Sequence, residues 1–254
     1  MSTTTYSSNN VLNAVAAAAK VLDERKEEVN RLNVFPVPDG DTGTNMSLTI
    51  QSVVSNVANL PIGAPGADIR KAITTGALMG ARGNSGVITS QILRGLCEGS
   101  QSFDEFDVES IAASFDRARE VAFQAVRKPV EGTILTVLRD SAAAAKVAVE
   151  QELSIPEALD AIVAEAYASV QRTPDLLPVL KEHGVVDAGG FGLAILFDAF
   201  TAALLGRSGT MVDEMSFARG SHPKVEIEQV NDWEGSQYRY CNEFLVDSDT
   251  LDKD

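Results

Sequence analysis

Apolar residues recur at helical spacing through most of the chain, from residue 9 to about residue 206. Stretches that alternate apolar and polar residues do not occur there, and only 6% of all residues are aromatic. Short breaks containing Gly or Pro separate the helical stretches. Because each helix must bury its apolar face against neighbours, the pattern predicts an all-α fold. The expected architecture is an eight-helix antiparallel up-down barrel with short loops at alternating ends.

The breaks also predict where the helices lie and end. Asn9 or Asn10 is expected to cap the first helix, and Thr173-Pro174 to stop the seventh. A short turn or helix at 176–182 is assigned to the connection before the last long helix. The predicted helices are residues 9–31, 44–59, 68–80, 87–96, 108–127, 134–145, 155–170 and 193–204.

The barrel domain is assigned to residues 8–206, and the tail after it has a different character. Residues 207–236 are predicted to be a linker, with an alternating, strand-like stretch at 225–230. Residues 238–246 are rich in aromatic and β-branched side chains. Residues 237–254 are therefore expected to begin a following, β-containing domain that is truncated.

The composition excludes several classes of function. The formal net charge is −15 and the pI is about 4.5, which opposes binding to nucleic acid and to anionic membrane surfaces. No signal peptide and no stretch suited to spanning a bilayer is recognised. Cys97 and Cys241 lie far apart and form no metal or redox motif. A cytoplasmic protein with no nucleic-acid partner and no integral membrane segment is expected.

Two carboxylates, Asp39 and Asp41, flank Gly40 in a turn just before the second helix. With Gly between them the side chains can converge, and converging carboxylates raise each other's pKa unless a cation relieves the repulsion. Oxygen ligands of this kind suit Mg²⁺, which completes its coordination with water and substrate phosphates. An ordinary capped turn is the alternative, because Asp-Gly is common in turns and Asp often caps a helix.

The residues after this turn suit an anion. Thr42, Thr44 and Asn45 lie at a helix start, where free backbone N–H groups and the helix dipole favour negative charge. Mg²⁺ beside an anion site indicates bound phosphate.

Three further Gly-containing loops open later helices, at 80–86, 128–133 and 183–192. Each alone is most simply a connection between helices. In an up-down barrel, however, all four helix starts would fall at the same end, because an even number of helices separates them. Four loops and two carboxylates around one mouth describe a site for a polyphosphate with Mg²⁺.

The stretches 33–46, 80–86 and 184–190 resemble the nucleotide-binding domain of bacterial fatty acid kinase. That domain is itself related to the nucleotide-binding subunit of dihydroxyacetone kinase, and the resemblance covers roughly residues 8–206. It implies ATP or ADP bound with Mg²⁺, as two ions, at one rim of an eight-helix barrel. It also implies a separate fatty-acid-binding protein that presents the acyl carboxylate for phosphorylation to acyl phosphate. A homodimer would form through the domains missing here.

The resemblance assigns roles to individual residues. The metal would be held by Asp39 and Asp41, with Asn33 as the candidate third ligand. Independently of the resemblance, Arg82 is assigned with the two aspartates to catalysis, because its charge could steady the transferred phosphate; a solvated surface residue is the equal alternative. Nucleotide contacts are assigned to Thr42, Thr44, Asn45, Gly83, Asn84, Ser85, Thr133, Asp187, Gly189 and Gly190.

Three other side chains lie near the loops. His183 is expected to end a helix before the Gly184 cap. Arg139 could also steady the transferred phosphate, with less support than Arg82. Phe191 either packs on the nucleotide base or has no role.

Two other functions stay open. The chain could be a dihydroxyacetone-type kinase subunit, or a nucleotide-binding module that is inactive without its missing domains.

Overall fold

The computed structural model describes residues 8–61, 63–100 and 107–211, and every structural statement below refers to these ranges. They contain eight long helices and one short one. The helices are α1 (Ser8–Arg31), α2 (Thr42–Ala58), α3 (Gly66–Gly80), α4 (Gly83–Gly99), α5 (Val108–Ala125), α6 (Ile134–Glu150), α7 (Ile155–Leu176), α8 (Pro178–His183) and α9 (Ala188–Leu204).

The long helices form a closed ring. From α1 to α7 each helix packs against the next one along the chain, and α9 packs against both α7 and α1. Short connections make neighbouring helices antiparallel. The predicted eight-helix up-down barrel is therefore confirmed, and α8 is the short element expected in the last connection.

Helix α9 is the most apolar element, because it packs against several others at once. All but three of its 17 residues are buried. Its Phe197 ring meets the Phe115 ring of α5 edge to face, with centroids 5.0 Å apart. The main core is continuous from α1 to α9, and an apolar cavity of about 200 Å³ is lined by core residues such as Ile92, Phe115 and Leu196.

Helix α7 runs past the predicted stop at Thr173-Pro174 and ends at Leu176, so that prediction is wrong. Pro174 has no N–H to donate to the carbonyl oxygen of Val170. The hydroxyl of Thr173 donates to that same oxygen at 2.6 Å. Because the orphaned carbonyl is satisfied locally, the helix continues for another half turn.

The helix starts also differ slightly from expectation. Helix α1 begins at Ser8, so Asn9 and Asn10 lie within its first turn rather than at its cap. Among the described helices none is both long and apolar enough to cross a membrane. The predicted linker beyond residue 211 and the predicted β-containing start of a further domain lie outside the described residues.

Candidate nucleotide and metal site

The turn that carries the two carboxylates is anchored from the end of α1. Asn33 is buried, and its Nδ2 donates to Oδ1 of Asp39 at 2.6 Å. The peptide bond between Phe35 and Pro36 is cis. Asp39 itself is exposed, so its carboxylate is held in place by Asn33 while still facing solvent.

Asp41 occupies the N-cap position of α2, yet its side chain makes no capping hydrogen bond. Burial raises its pKa, and the neighbouring carboxylate of Asp39 raises it further, while a hydrogen bond with the side chain of Asn45 acts in the opposite direction. In a capped turn the Asp41 carboxylate would accept a hydrogen bond from a backbone N–H in the first turn of α2, and it does not. The arrangement instead leaves two mutually repelling carboxylates side by side, which a divalent cation would relieve.

Within the described residues no cluster of three or more His, Cys, Asp or Glu side chains could hold a metal ion. The donors at the turn are thus two carboxylates, with the Asn33 side chain behind one of them. This set suits Mg²⁺, which is commonly bound by one or two carboxylates together with water and phosphate oxygens. It suits Zn²⁺ poorly, because Zn²⁺ prefers Cys and His ligands in greater number.

Asn30, which the sequence analysis missed, organises the start of α2. Its Oδ1 accepts from the backbone N–H of Thr44 at 3.1 Å, and its Nδ2 donates to Oγ1 of Thr44 at 3.0 Å. The Thr44 N–H is therefore already occupied and is not free for a phosphate. No sequence signal could have found Asn30, because the pairing joins residues 14 positions apart across the loop.

The start of α4 packs directly on the start of α2. Gly83 adopts φ +55°, and a Cβ there would lie 2.3 Å from Nδ2 of Asn45. Farther into the helix a Cβ at Gly86 would lie 2.6 Å from Oγ1 of Thr49. Oγ of Ser85 also lies 3.4 Å from the carbonyl oxygen of Thr42. These close approaches require glycine and place the 80–86 loop beside the two carboxylates.

Arg82 and Asn84 stand at the open side of this loop. Both are exposed, and Arg82 makes no salt bridge within the described part of the chain. Its Nη1 lies 3.3 Å from the carbonyl oxygen of Ala81. The guanidinium is thus available to an anion bound at the rim.

The starts of α6 and α9 form a second pair. Thr133 is buried, and its hydroxyl donates to the carbonyl oxygen of Val130 at 2.8 Å, so it is turned onto its own loop. Asp187 is 4% exposed, and its Oδ2 accepts from the N–H of Gly190 at 2.7 Å. Burial raises the pKa of Asp187 to about 7, and backbone hydrogen bonds from Gly190 and Ile134 oppose that rise.

The two pairs lie at the same end of the barrel, as the up-down order requires. The link between them is the contact of α9 with α2, where a Cβ on Gly192 would lie 2.8 Å from Sδ of Met46. The structure therefore brings the four predicted loops to one rim.

Three side chains near the rim are buried or paired with other groups of the protein. Phe191 is 1% exposed and lies in the main core, so it cannot stack on a nucleotide base. His183 ends α8, and its Nδ1 pairs with the carbonyl oxygen of Val179 at 2.9 Å, before Gly184 in the left-handed conformation. Arg139 pairs with Glu131 and Asp140.

Comparison with known proteins shows the family and the fold of this chain. The DAK2 domain family matches residues 36–202. The chain is 40% identical over 252 residues to Protein YloV of Bacillus subtilis, covering 97% of the chain and 45% of that protein. It is 41% identical over 233 residues to the uncharacterized protein SH1689 of Staphylococcus haemolyticus, covering 91% of the chain and 42% of that protein. The chain thus spans less than half the length of these curated relatives.

Among solved structures, the dihydroxyacetone kinase from C. freundii in complex with AMP-PNP and Mg²⁺ is similar with a TM-score of 0.56 and 20% identity. The similarity covers 76% of this chain and 33% of that one. At this identity the likeness shows a shared fold. The fold and the rim together define the class of domain. It is a helical barrel with Gly-rich helix starts and a pair of carboxylates at one rim. The extent of the family match shows that the chain belongs to the DAK2 domain family.

Proposed function

We propose that this chain is an ATP- and Mg²⁺-dependent kinase domain that phosphorylates the carboxylate of a fatty acid. A separate fatty-acid-binding protein presents that carboxylate, and the product is an acyl phosphate. Membership of the DAK2 domain family supports the coarser statement of a kinase-type nucleotide-binding module. The similar dihydroxyacetone kinase structure holds AMP-PNP and Mg²⁺, which supports the choice of ligands. The fatty acid rests on the sequence resemblance.

One observation carries the nucleotide part of the proposal. Asp41 stands at the N-cap of α2 without capping it, next to Asp39 and opposite the glycine loop of α4. A purely structural turn gains nothing from placing the Asp39 carboxylate where it raises the pKa of the Asp41 carboxyl. Such a pair is useful where Mg²⁺ and phosphate bind together.

Different residues at the rim would bind the metal, the phosphates and the transferred group. Asp39 and Asp41 would hold Mg²⁺, and the Asn33 and Asn45 side chains would keep the two carboxylates oriented. Bound Mg²⁺ would supply neutralisation of phosphate charge. Backbone N–H groups at the start of α4, with Asn84 and Ser85, would donate to phosphate oxygens. Arg82, exposed at the mouth, would reach the transferred phosphoryl group.

A carboxylate acceptor agrees with the side chains that are present. Its oxygen attacks the γ-phosphorus, the bond to the β-phosphate oxygen breaks, and ADP leaves without any proton having to be removed. In the described residues the histidine nearest a loop, His183, pairs with its own helix rather than facing the carboxylates. Catalysis would then consist of positioning and charge stabilisation, as is usual for phosphoryl transfer.

Two alternatives each have a specific observation behind them. The fold similarity to dihydroxyacetone kinase favours a subunit that phosphorylates dihydroxyacetone. The chain also spans less than half the length of its curated relatives, which favours a module that binds nucleotide but turns over only with further domains.

Calorimetric titration with ADP, with and without Mg²⁺, tests the nucleotide site. We expect Mg²⁺-dependent binding by the wild-type chain and none by the Asp39→Ala/Asp41→Ala double variant with unchanged helical circular dichroism. Glu150→Ala/Glu152→Ala is a matched control, because these exposed carboxylates are also two residues apart but lie at the C-terminal end of α6. Equal binding by the Asp39/Asp41 variant would reject the assignment of the metal site.

The acceptor is tested by transfer of labelled phosphate from ATP. A fatty acid loaded on a fatty-acid-binding protein is expected to give a product that hydroxylamine converts to the acyl hydroxamate. Label on dihydroxyacetone instead would favour the first alternative. Mg²⁺-dependent ADP binding without transfer to either acceptor would favour the second.

A further inference from the structure

Asp187 contacts the starts of two different helices. Its Oδ2 accepts from the N–H of Gly190 at 2.7 Å, which caps α9. The start of α6 lies beside this carboxylate: a Cβ on Gly189 would lie 3.4 Å from Oδ2 of Asp187 and 3.2 Å from Cβ of Ile134, the first residue of α6, and the Ile134 N–H lowers the pKa of Asp187 against the effect of burial. One buried carboxylate therefore caps the start of α9 and also faces the orphan N–H groups at the start of α6.

Helix α6 depends on this contact because its own N-cap residue does not cap it. Thr133 has the extended backbone of a cap, but its side chain makes no capping hydrogen bond. Its hydroxyl donates instead to the carbonyl oxygen of Val130. The cap of α6 is thus supplied from α9, 53 residues later in the chain.

The first turns of α9 and α6 are in direct contact. A Cβ on Gly190 would lie 2.7 Å from Cγ2 of Val137, and one on Gly189 would lie 3.2 Å from Cβ of Ile134. Gly190 is needed for this close packing, and a side chain at Gly189 would make a tight contact. Both glycines are explained by the helix contact without any nucleotide.

The backbone of Asp187 is fixed from a third side. Its N–H donates to Oγ1 of Thr173 at 3.0 Å, and Thr173 is fully buried near the end of α7. The loop before α6 also packs against Thr173, since a Cβ on Gly132 would lie 2.9 Å from the carbonyl oxygen of Thr173. Asp187 therefore stands where α6, α7 and α9 meet.

We propose that Asp187 is a positioning residue that fixes the α6 and α9 starts relative to each other, and that it does not contact the nucleotide. This inference rests on the proposed function, and it corrects the assignment of Asp187 as a nucleotide ligand. It divides the rim into two halves. The α2 and α4 starts bind phosphate and metal. The α6 and α9 starts, held together by Asp187, form the other half of the rim. The Asp187 carboxylate faces backbone N–H groups at the starts of α6 and α9. Its negative charge would repel a second anion, such as a phosphate, at this place.

Asp198→Asn provides a matched control for Asp187→Asn. Asp198 lies on the same helix, is 3% exposed, and likewise accepts from a backbone N–H, that of Met211 at 3.0 Å. It stands 11 residues farther on, about 16 Å along the axis at 1.5 Å per residue. Both variants replace a buried carboxylate by an amide, but only one of them is at the rim.

The first test is amide hydrogen exchange in the nucleotide-free protein. Asp187→Ala is expected to increase exchange at Ile134 and Gly190 roughly fivefold, because loss of a helix cap costs about 1 kcal/mol. Asp198→Asn is expected to leave both amides protected. Unchanged protection at Ile134 in Asp187→Ala would overturn the proposal. If Asp187→Ala does not fold, Asp187→Asn replaces it, with the increase expected at one or both amides.

The second test is the Kd for ADP with Mg²⁺, measured well below each variant's Tm. Asp187→Ala is expected to raise the Kd roughly fivefold to tenfold, Asp187→Asn less, and Asp198→Asn not at all. An equal rise in Asp198→Asn would reduce the effect to general destabilisation and overturn the proposal, as would wild-type affinity in Asp187→Ala. Absence of binding by the wild-type chain would instead count against the proposed function, while the exchange test would still decide whether Asp187 joins the two helices.

Discussion

Asn33 donates through its side-chain amide to Oδ1 of Asp39 at 2.6 Å, and this buried residue holds an exposed carboxylate in place. Groups that orient metal ligands commonly change metal affinity tenfold or more when removed. We expect Asn33→Ala to raise the Mg²⁺ concentration needed for half-maximal ADP binding by about tenfold, as measured by calorimetry at several Mg²⁺ concentrations. Asn56→Ala, which removes an amide bonded within α2, should leave that concentration unchanged. An unchanged Mg²⁺ requirement in Asn33→Ala would contradict an orienting role.

Gly83 combines a left-handed backbone with a neighbour at the rim. Its φ is +55°, and a Cβ would lie 2.3 Å from Nδ2 of Asn45. Gly83→Ala should therefore lower the free energy of unfolding by about 1–2 kcal/mol and weaken ADP binding. Gly206→Ala is the control, since Gly206 has φ +68° and nothing within 4 Å. It should show the backbone cost in urea unfolding without a change in Kd, and equal effects of both variants on Kd would argue against the contact.

The Thr173 hydroxyl donates to the Val170 carbonyl oxygen, to which Pro174 has no N–H to donate. Thr173→Val leaves the Val170 carbonyl without its donor and the Asp187 N–H without its acceptor, so we expect a loss of roughly 2–4 kcal/mol in urea unfolding. Thr173→Ser should recover most of that loss. Adding Pro174→Ala to Thr173→Val should recover part of it, because residue 174 regains an N–H for Val170. No recovery with Pro174→Ala would show that the lost contact to Asp187 dominates.

The raised pKa of Asp187, about 7, makes stability depend on pH. The usual Asp pKa in an unfolded chain is about 3.9, so the folded protein binds this proton more tightly. The stabilising contribution is fully present below about pH 4 and is lost as the pH rises through about 7, by at most about 4 kcal/mol. In urea unfolding between pH 4.5 and 8, Asp187→Asn should remove this decrease. Asp198→Asn should keep it, and a wild-type slope in Asp187→Asn would contradict the assignment.

Much of the fold could be predicted because helical periodicity is local information. The eight long helices and their order around the barrel follow from apolar spacing and short breaks. The end of α7 was missed because the rule for proline does not include a neighbouring hydroxyl that replaces the lost donor.

At the candidate site the sequence predicted residue types better than residue roles. The pair Asp39 and Asp41 and the glycine loop at 80–86 were found, and the structure brings them together. Asp187 was assigned to the nucleotide; the structure shows its buried carboxylate accepting from the N–H of Gly190, and we propose a positioning role for it. Asn30 was missed altogether, although it pairs with both the N–H and the hydroxyl of Thr44.

The sequence by itself determined the barrel, its order of helices and the end at which four glycine loops gather. These depend on the spacing of apolar residues and on the parity of antiparallel helices, both of which are properties of chain order. Only the tertiary structure decided which polar groups are already paired and which face the open rim. Burial and hydrogen bonding between residues far apart in the chain fix that division, since each N–H and carboxylate is occupied or exposed according to what packs against it.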